Sequence, residues 1–299
     1  MKHFLSIEKL TCAEILDLLE SAREYKACRG KPDSSPLRGQ TWVLLFNKPS
    51  TRTRVSFEVA IREFGAEVIF LSQGDIQLGR GEPVVDTARV LGRIVHGAVI
   101  RTFAQSDLEQ FAQFSGIPTI NALTDEEHPC QIIADLFTIL EKRGTLEDLK
   151  VCFIGDGDCN VARSWIWAAE RLGFELRIAA PANYQPSQDF KHRLTNPKIH
   201  FPTVATEGAA GASVLYTDVW VSMGKEAESA QRLSDLAPFQ INQKLLRSVA
   251  PDALILHCLP AYRGKEITEE VLEAHAQTIF DQAENRLHAQ KAILASLAQ

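Results

Sequence analysis

Long apolar runs, glycine-rich phosphate loops, paired cysteines and long basic runs are all missing from this chain of 299 residues. No stretch approaches the ~20 consecutive apolar residues that a membrane span needs, so no membrane partner is expected. Lysine and arginine form no long run, and the formal charge is −6. That balance excludes a general polyanion binder, so no nucleic-acid partner is expected and only a local anion site has a place. The six cysteines (Cys12, Cys28, Cys130, Cys152, Cys159 and Cys258) show no Cys-x-x-Cys spacing. In a chain of this size they read as reduced thiols of a cytoplasmic protein. The opening "MKHFLSIEKLTCAEILDLLESARE" spreads its charges and reads as an amphipathic helix, not as a secretory signal.

Hydrophobic residues make up 45% of the chain and charged residues 23%, enough apolar material for two buried cores. Short, nearly all-apolar runs alternate with helical patterns: 41–46, 66–71, 97–103, 117–123, 151–157, 175–181, 213–220 and 253–260. This pattern predicts an α/β fold of two doubly wound domains, each a parallel sheet flanked by helices. The polar stretch "EKRGTLEDLK" (141–150) predicts the boundary. The expected division is 1–143, 144–282 and a final helix over 283–299. In such sheets ligands bind beyond the C-terminal strand ends, so those ends are where chemistry is sought.

After the first strand, "NKPSTRTR" (47–54) opens a helix expected to run from about Ser50 to Phe64. Helix N-termini hold unpaired N–H groups and the positive end of the dipole. Ser50 or Thr51 can cap, while Arg52 and Arg54 offer planar forks suited to phosphate oxygens. A capped helix with solvated arginines is the plain alternative, and phosphate binding is favoured. Arg101 sits in an otherwise apolar strand, which calls for an anionic partner: a structural carboxylate or a ligand. His128 precedes Pro129, a residue suited to the first helical position, and Gln131 follows one turn later. The pair can hydrogen-bond a carbonyl or amide, or serve as an ordinary cap and surface residue.

"VCFIGDGDCNVARS" ends a strand and opens a helix, but Asn160 stands where a dinucleotide fingerprint needs its third glycine. The turn is better suited to presenting the Asn160 amide. Asp218 ends another strand beside a loop through Ser222, Met223 and Gly224, suited to a cationic ammonium or to capping a helix. His257 and Cys258 are adjacent at a strand end. Because side chains alternate along a strand, they are expected to face apart and not to share a metal. Arg286 alone reads as a surface arginine.

Taken in order, Ser-Thr-Arg-Thr-Arg (50–54), "DTARVLGR" (86–93), His-Pro-Cys-Gln (128–131), Asp-Val-Trp-Val-Ser-Met-Gly (218–224), His-Cys-Leu-Pro (257–260) and Glu-Asn-Arg (284–286) resemble the aspartate/ornithine carbamoyltransferase family. Cys130, the Ser-Met-Gly loop and His-Cys-Leu-Pro point to its ornithine branch. The resemblance implies transfer of the carbamoyl group of carbamoyl phosphate to the δ-amine of L-ornithine, giving L-citrulline and phosphate. Putrescine or an acylated ornithine is the alternative acceptor. It implies carbamoyl phosphate on Ser50, Thr51, Arg52, Thr53, Gln77, Arg101, His128, Gln131, Cys258, Leu259 and Arg286, and ornithine on Asn160, Asp218, Ser222 and Met223. Arg52, Thr53, Arg101, His128 and Cys258 are the implied catalytic groups, with no metal or other cofactor and a homotrimeric assembly. Arg54 is expected to pair with Glu58 one helical turn away. Asp158 and Cys159 depart from the family's usual Gly-Asp-Gly-Asn-Asn run, Arg163 stands where a smaller or uncharged residue is usual, and Tyr262 where histidine is frequent.

Overall fold

The computed structural model describes residues 1–31, 35–75, 81–222, 224 and 226–298. Two compact units divide them: Met1–Phe137 with Glu284–Gln299, and Thr138–Ala283.

In the first unit, α1 (Cys12–Ala27), β1 (Thr41–Phe46), α2 (Thr51–Glu63), β2 (Glu67–Ser72), α3 (Val84–Leu91), β3 (Gly97–Arg101), α4 (Gln105–Ser115) and β4 (Thr119–Leu123) follow one another. The helix α5 (Pro129–Arg143) begins here. The strands form a parallel sheet in the order β2-β1-β3-β4. Strands β1, β3 and β4 are almost wholly buried, which is why their sequences read as continuous apolar runs. β2 lies at the sheet edge and has only exposed and half-buried residues instead.

The N-terminal segment differs from expectation: the helix begins only at Cys12. Thr11 caps it, its hydroxyl accepting from Glu14 N while Glu14 Oε2 accepts from Thr11 N, a reciprocal capping box. The preceding residues are drawn away by β4, where Phe4 N donates to Thr119 O and Asn121 N to Phe4 O.

The second unit contains β5 (Lys150–Ile154), α6 (Asn160–Leu172), β6 (Glu175–Ala179), α7 (Gln188–Lys191), β7 (Ile199–His200), α8 (Ala205–Ala209), β8 (Val214–Thr217), α9 (Ser229–Leu236), α10 (Gln243–Leu246), β9 (Leu254–His257) and α11 (Glu269–Ala274). Its parallel sheet runs β7-β6-β5-β8-β9. β7 is two residues long and leaves no sequence period to read. The final helix α12 (Ala276–Leu297) contributes its residues from Glu284 onward to the first unit.

Each sheet has one point where the strand order reverses: between β1 and β3, and between β5 and β8. Loops leaving those paired strands diverge to opposite faces and open a crevice at the carboxyl edge. Among the described residues no helix is long and apolar enough to cross a membrane.

Candidate active site

At the first reversal point, Arg101 ends β3 directly beside Phe46, the last residue of β1. The guanidinium therefore stands at the carboxyl edge, beside the N-terminus of α2. Ser50 occupies the capping position there, but its side chain makes no capping hydrogen bond. A side-chain cap is thus absent, and the first turn keeps its amides for another acceptor. Thr53 is buried, and its hydroxyl accepts from Arg286 Nη2 on α12.

His128, just before Pro129 opens α5, is buried and held well below its ordinary pKa. Burial is the main cause, and the cations Arg286, Arg101 and Arg52 add to it. The neutral imidazole thus sits among three guanidinium groups. Gln131 is fully buried; its Nε2 donates to Asp135 Oδ1 (2.9 Å) while its Oε1 has no hydrogen-bond partner. So much positive charge around buried donors suits a multiply charged anion.

Three loops hold this arrangement. Asn47 N donates to Arg101 O (2.8 Å) and Asn47 Nδ2 to Thr102 Oγ1 (3.0 Å). Lys48, buried, pairs with Asp125 and lies 4.3 Å from the centroid of the Phe103 ring. Asp125 N in turn donates to Phe103 O (2.8 Å). The loops after β1, β3 and β4 are thereby tied together behind the arginines. Lys48 stands in the same polar stretch as Arg52, but nothing in the sequence distinguishes a tie from a ligand. Arg54, by contrast, faces away: its Nε donates to Glu58 Oε1 (2.7 Å), as expected, and its guanidinium stacks 3.6 Å from the centroid of the Phe70 ring.

At the second reversal point, Asp218 follows β8 and Asn160 opens α6. Cys258 Sγ donates to Asp218 Oδ1 (2.8 Å), whose same oxygen accepts from Val219 N (2.7 Å). Desolvation raises the Asp218 pKa; His257, the Cys258 thiol and the Val219 amide pull the other way. His257 and Cys258 do not face apart as strand alternation would require. β9 ends at His257, and Leu259 adopts φ +58°, so Cys258 lies outside the strand and its thiol comes round to Asp218. Donor atoms of Asp218, His257 and Cys258 all fall within 4.8 Å of one another. Both His257 nitrogens are nevertheless engaged. Leu259 N donates to Nδ1 (2.8 Å), which leaves the proton on Nε2 to donate to Glu266 Oε1 (3.1 Å). A cation would have to displace the Leu259 amide to use this histidine.

The unusual residues of the β5–α6 turn satisfy one another. Arg163 Nε and Nη2 both donate to Asp158 Oδ1 (3.0 and 2.9 Å). Cys159 caps α6, its sulfur accepting from Ala162 N (3.4 Å), and its thiol pKa is pushed well up by burial and by Asp218 and Asp156. Gly155, at φ +131°, permits the sharp exit from β5. Asp156 pairs with buried Arg232, whose Nε donates to Trp220 O (2.7 Å). Arg232 thus joins the turn bearing Asn160 to the segment bearing Asp218 and Ser222. It had no sequence signal, since its value lies wholly in what it bridges.

Family models match both parts of the chain. One, described as "Aspartate/ornithine carbamoyltransferase, carbamoyl-P binding domain", matches residues 2–141; the other, the "Asp/Orn binding domain" of the same family, matches 147–297. The chain belongs to the aspartate/ornithine carbamoyltransferase family. It is 59% identical over 300 residues to the ornithine carbamoyltransferase of Akkermansia muciniphila, across 100% of this chain and 98% of that protein. The crystal structure of anabolic ornithine carbamoyltransferase from Campylobacter jejuni superposes with a TM-score of 0.93 at 43% identity, covering 99% of each chain. The solved structure of the Pyrococcus furiosus ornithine carbamoyltransferase gives 0.92 at 42% identity, covering 98% of this chain and 96% of that one.

Within this carbamoyltransferase fold, Arg52, Thr53, Arg101, His128, Gln131 and Arg286 belong to the first unit, and Asn160, Asp218, Ser222, Cys258 and Leu259 to the second. Gln77 and Met223 lie outside the described residues.

Proposed function

We propose that this protein transfers the carbamoyl group of carbamoyl phosphate to the δ-amine of L-ornithine, forming L-citrulline and phosphate. The observation that carries the reading is the neutral His128 set among Arg52, Arg101 and Arg286 at the uncapped start of α2. A phosphate ester bearing an amide-like carbonyl matches that set: guanidinium groups for the phosphoryl oxygens, a neutral N–H donor for the carbonyl.

The donor phosphate rests on Ser50, Thr51, Arg52, Thr53, Arg101 and Arg286, with Gln77 as a further ligand. Gln131 Oε1, buried without a partner, accepts from the carbamoyl amide nitrogen. Thr53, Arg101 and His128 stabilise the carbonyl oxygen as it gains charge. The α-amine of ornithine binds Asp218, its backbone lies on Asn160, Ser222 and Met223, and Cys258 and the Leu259 carbonyl orient the reacting groups. The neutral δ-amine forms the new C–N bond, the C–O bond to phosphate breaks, and the proton lost by the amine leaves with the phosphate. Cys258 serves as a hydrogen-bond donor and forms no covalent adduct. Free ornithine is preferred to putrescine because Asp158 and Arg163 neutralise each other and leave Asp218 for the α-amine. A homotrimer in the cytoplasm, working in arginine metabolism, completes the reading.

The test is citrulline formation from carbamoyl phosphate and ornithine, with putrescine and N-acetylornithine in parallel. Turnover with ornithine at the highest kcat/KM is expected. No turnover with any amine overturns the transferase reading, and a preference for putrescine overturns the acceptor.

A further inference from the structure

Glu127 stands one residue before His128, yet its carboxylate is committed to the start of the chain. It accepts from Ser6 Oγ and from Ile7 N (3.0 Å), and both Ser6 and Glu127 are buried. The segment that supplies these donors is docked along β4: besides the two backbone bonds of Phe4, Leu5 O accepts from Asn121 Nδ2 (2.9 Å) and Gln105 Nε2 (3.2 Å). The turn before His128 is closed on the same framework. Thr124 N donates to Glu127 O (2.9 Å), Glu127 N to Thr124 Oγ1 (3.1 Å), and Thr124 Oγ1 to Gln105 Oε1 (2.9 Å).

Two consequences follow from elementary electrostatics. A buried carboxylate one residue from a histidine that three arginines surround competes with an incoming anion unless other donors hold it elsewhere. A turn closed at both ends also fixes the direction in which the next residue, His128, leaves it.

We propose that the segment Phe4–Ile7 is a positioning strap for the donor site, holding Glu127 through Ser6 and Ile7 so that the adjoining turn aims His128 and Gln131 at the anion. Glu127 is a positioning residue and touches neither substrate. The proposal rests on the carbamoyl-phosphate reading of this site.

The experiment compares the wild-type protein with Ser6→Ala, Ser6→Thr, Glu127→Gln and Glu127→Ala. Calorimetric binding of inorganic phosphate, KM for each substrate and the melting temperature are measured for each. Ser6→Ala and Glu127→Gln should weaken phosphate binding and raise KM for carbamoyl phosphate about tenfold, the effect of one lost charge-assisted hydrogen bond. KM for ornithine should stay within about twofold, and Ser6→Thr should recover most of the loss. If Glu127→Ala does not fold, the two conservative variants still decide the matter. A lowered melting temperature with unchanged phosphate affinity and unchanged KM for carbamoyl phosphate makes the segment a plain structural anchor and overturns the strap. Phosphate that fails to bind the wild type overturns it as well. Weakened phosphate binding in the variants of a protein that makes no citrulline keeps the strap and removes the transferase reading.

Discussion

Arg286 Nη2 donates to Thr53 Oγ1, joining residues 233 positions apart in the chain. The bond places a guanidinium from the last helix at the first turn of α2, where the backbone amides lack a side-chain cap. Replacing Arg286 with methionine keeps the length of the stem and removes the fork. The variant should lose about 10²–10³-fold in kcat/KM for carbamoyl phosphate, the usual effect of deleting one preorganised donor. Initial-rate kinetics at saturating ornithine check this, and a loss below about threefold removes Arg286 from the donor site.

Cys258 and Asp218 share a hydrogen bond whose donor is the thiol, which suits orientation and not nucleophilic attack. Cys258→Ser should therefore retain measurable turnover, whereas Cys258→Ala should raise KM for ornithine about tenfold by removing the donor that orients the Asp218 carboxylate. Intact mass during turnover should show no carbamoyl adduct on the protein. A mass gain of one carbamoyl group would refute the direct-attack mechanism.

The buried pair of Arg232 and Asp156 predicts a split phenotype. Arg232→Met leaves Asp156 uncompensated, a loss of about 3–5 kcal/mol for breaking a buried pair. The melting temperature should fall, and KM for ornithine should rise more than KM for carbamoyl phosphate, because Trp220 O loses its donor. Equal rises in both constants would show that Arg232 supports the fold without setting the acceptor segment.

His128 ties stability to pH. Its folded pKa lies well below the usual value near 6.5, so below about pH 6.5 the unfolded chain binds a proton that the folded chain refuses. Stability should thus fall as pH drops below about 6.5, by up to ~1.4 kcal/mol per pH unit from this one group. Melting temperatures of the wild type and His128→Gln between pH 5 and 8 should run parallel above about pH 6.5 and converge below it. Parallel curves throughout would mean that His128 titrates normally.

How much of this was legible in advance depends on the range of the interaction. The strands were readable because double burial makes them continuous apolar runs, and Arg54 with Glu58 was readable because a helical turn separates them. Strand alternation misplaced Cys258, since β9 stops at His257 and the rule ends with the strand. Ser50 stands at the capping position without closing a cap, because residue type marks where a cap can form, while local geometry decides whether the hydroxyl reaches an amide. The helix expected from the first residues gave way to a bridge to β4, a tertiary competitor that local composition cannot reveal.

The alternation of elements, the α/β class and the polar residues at the strand ends follow from local residue order, because periodicity and turn chemistry act over a few residues. Long-range packing sets the rest: Arg286 meets Thr53, Lys48 and Arg232 tie loops together, and Glu127 turns toward Ser6. Each of those depends on segments brought together within one unit by its own fold, where desolvation gives a single charge or donor its effect.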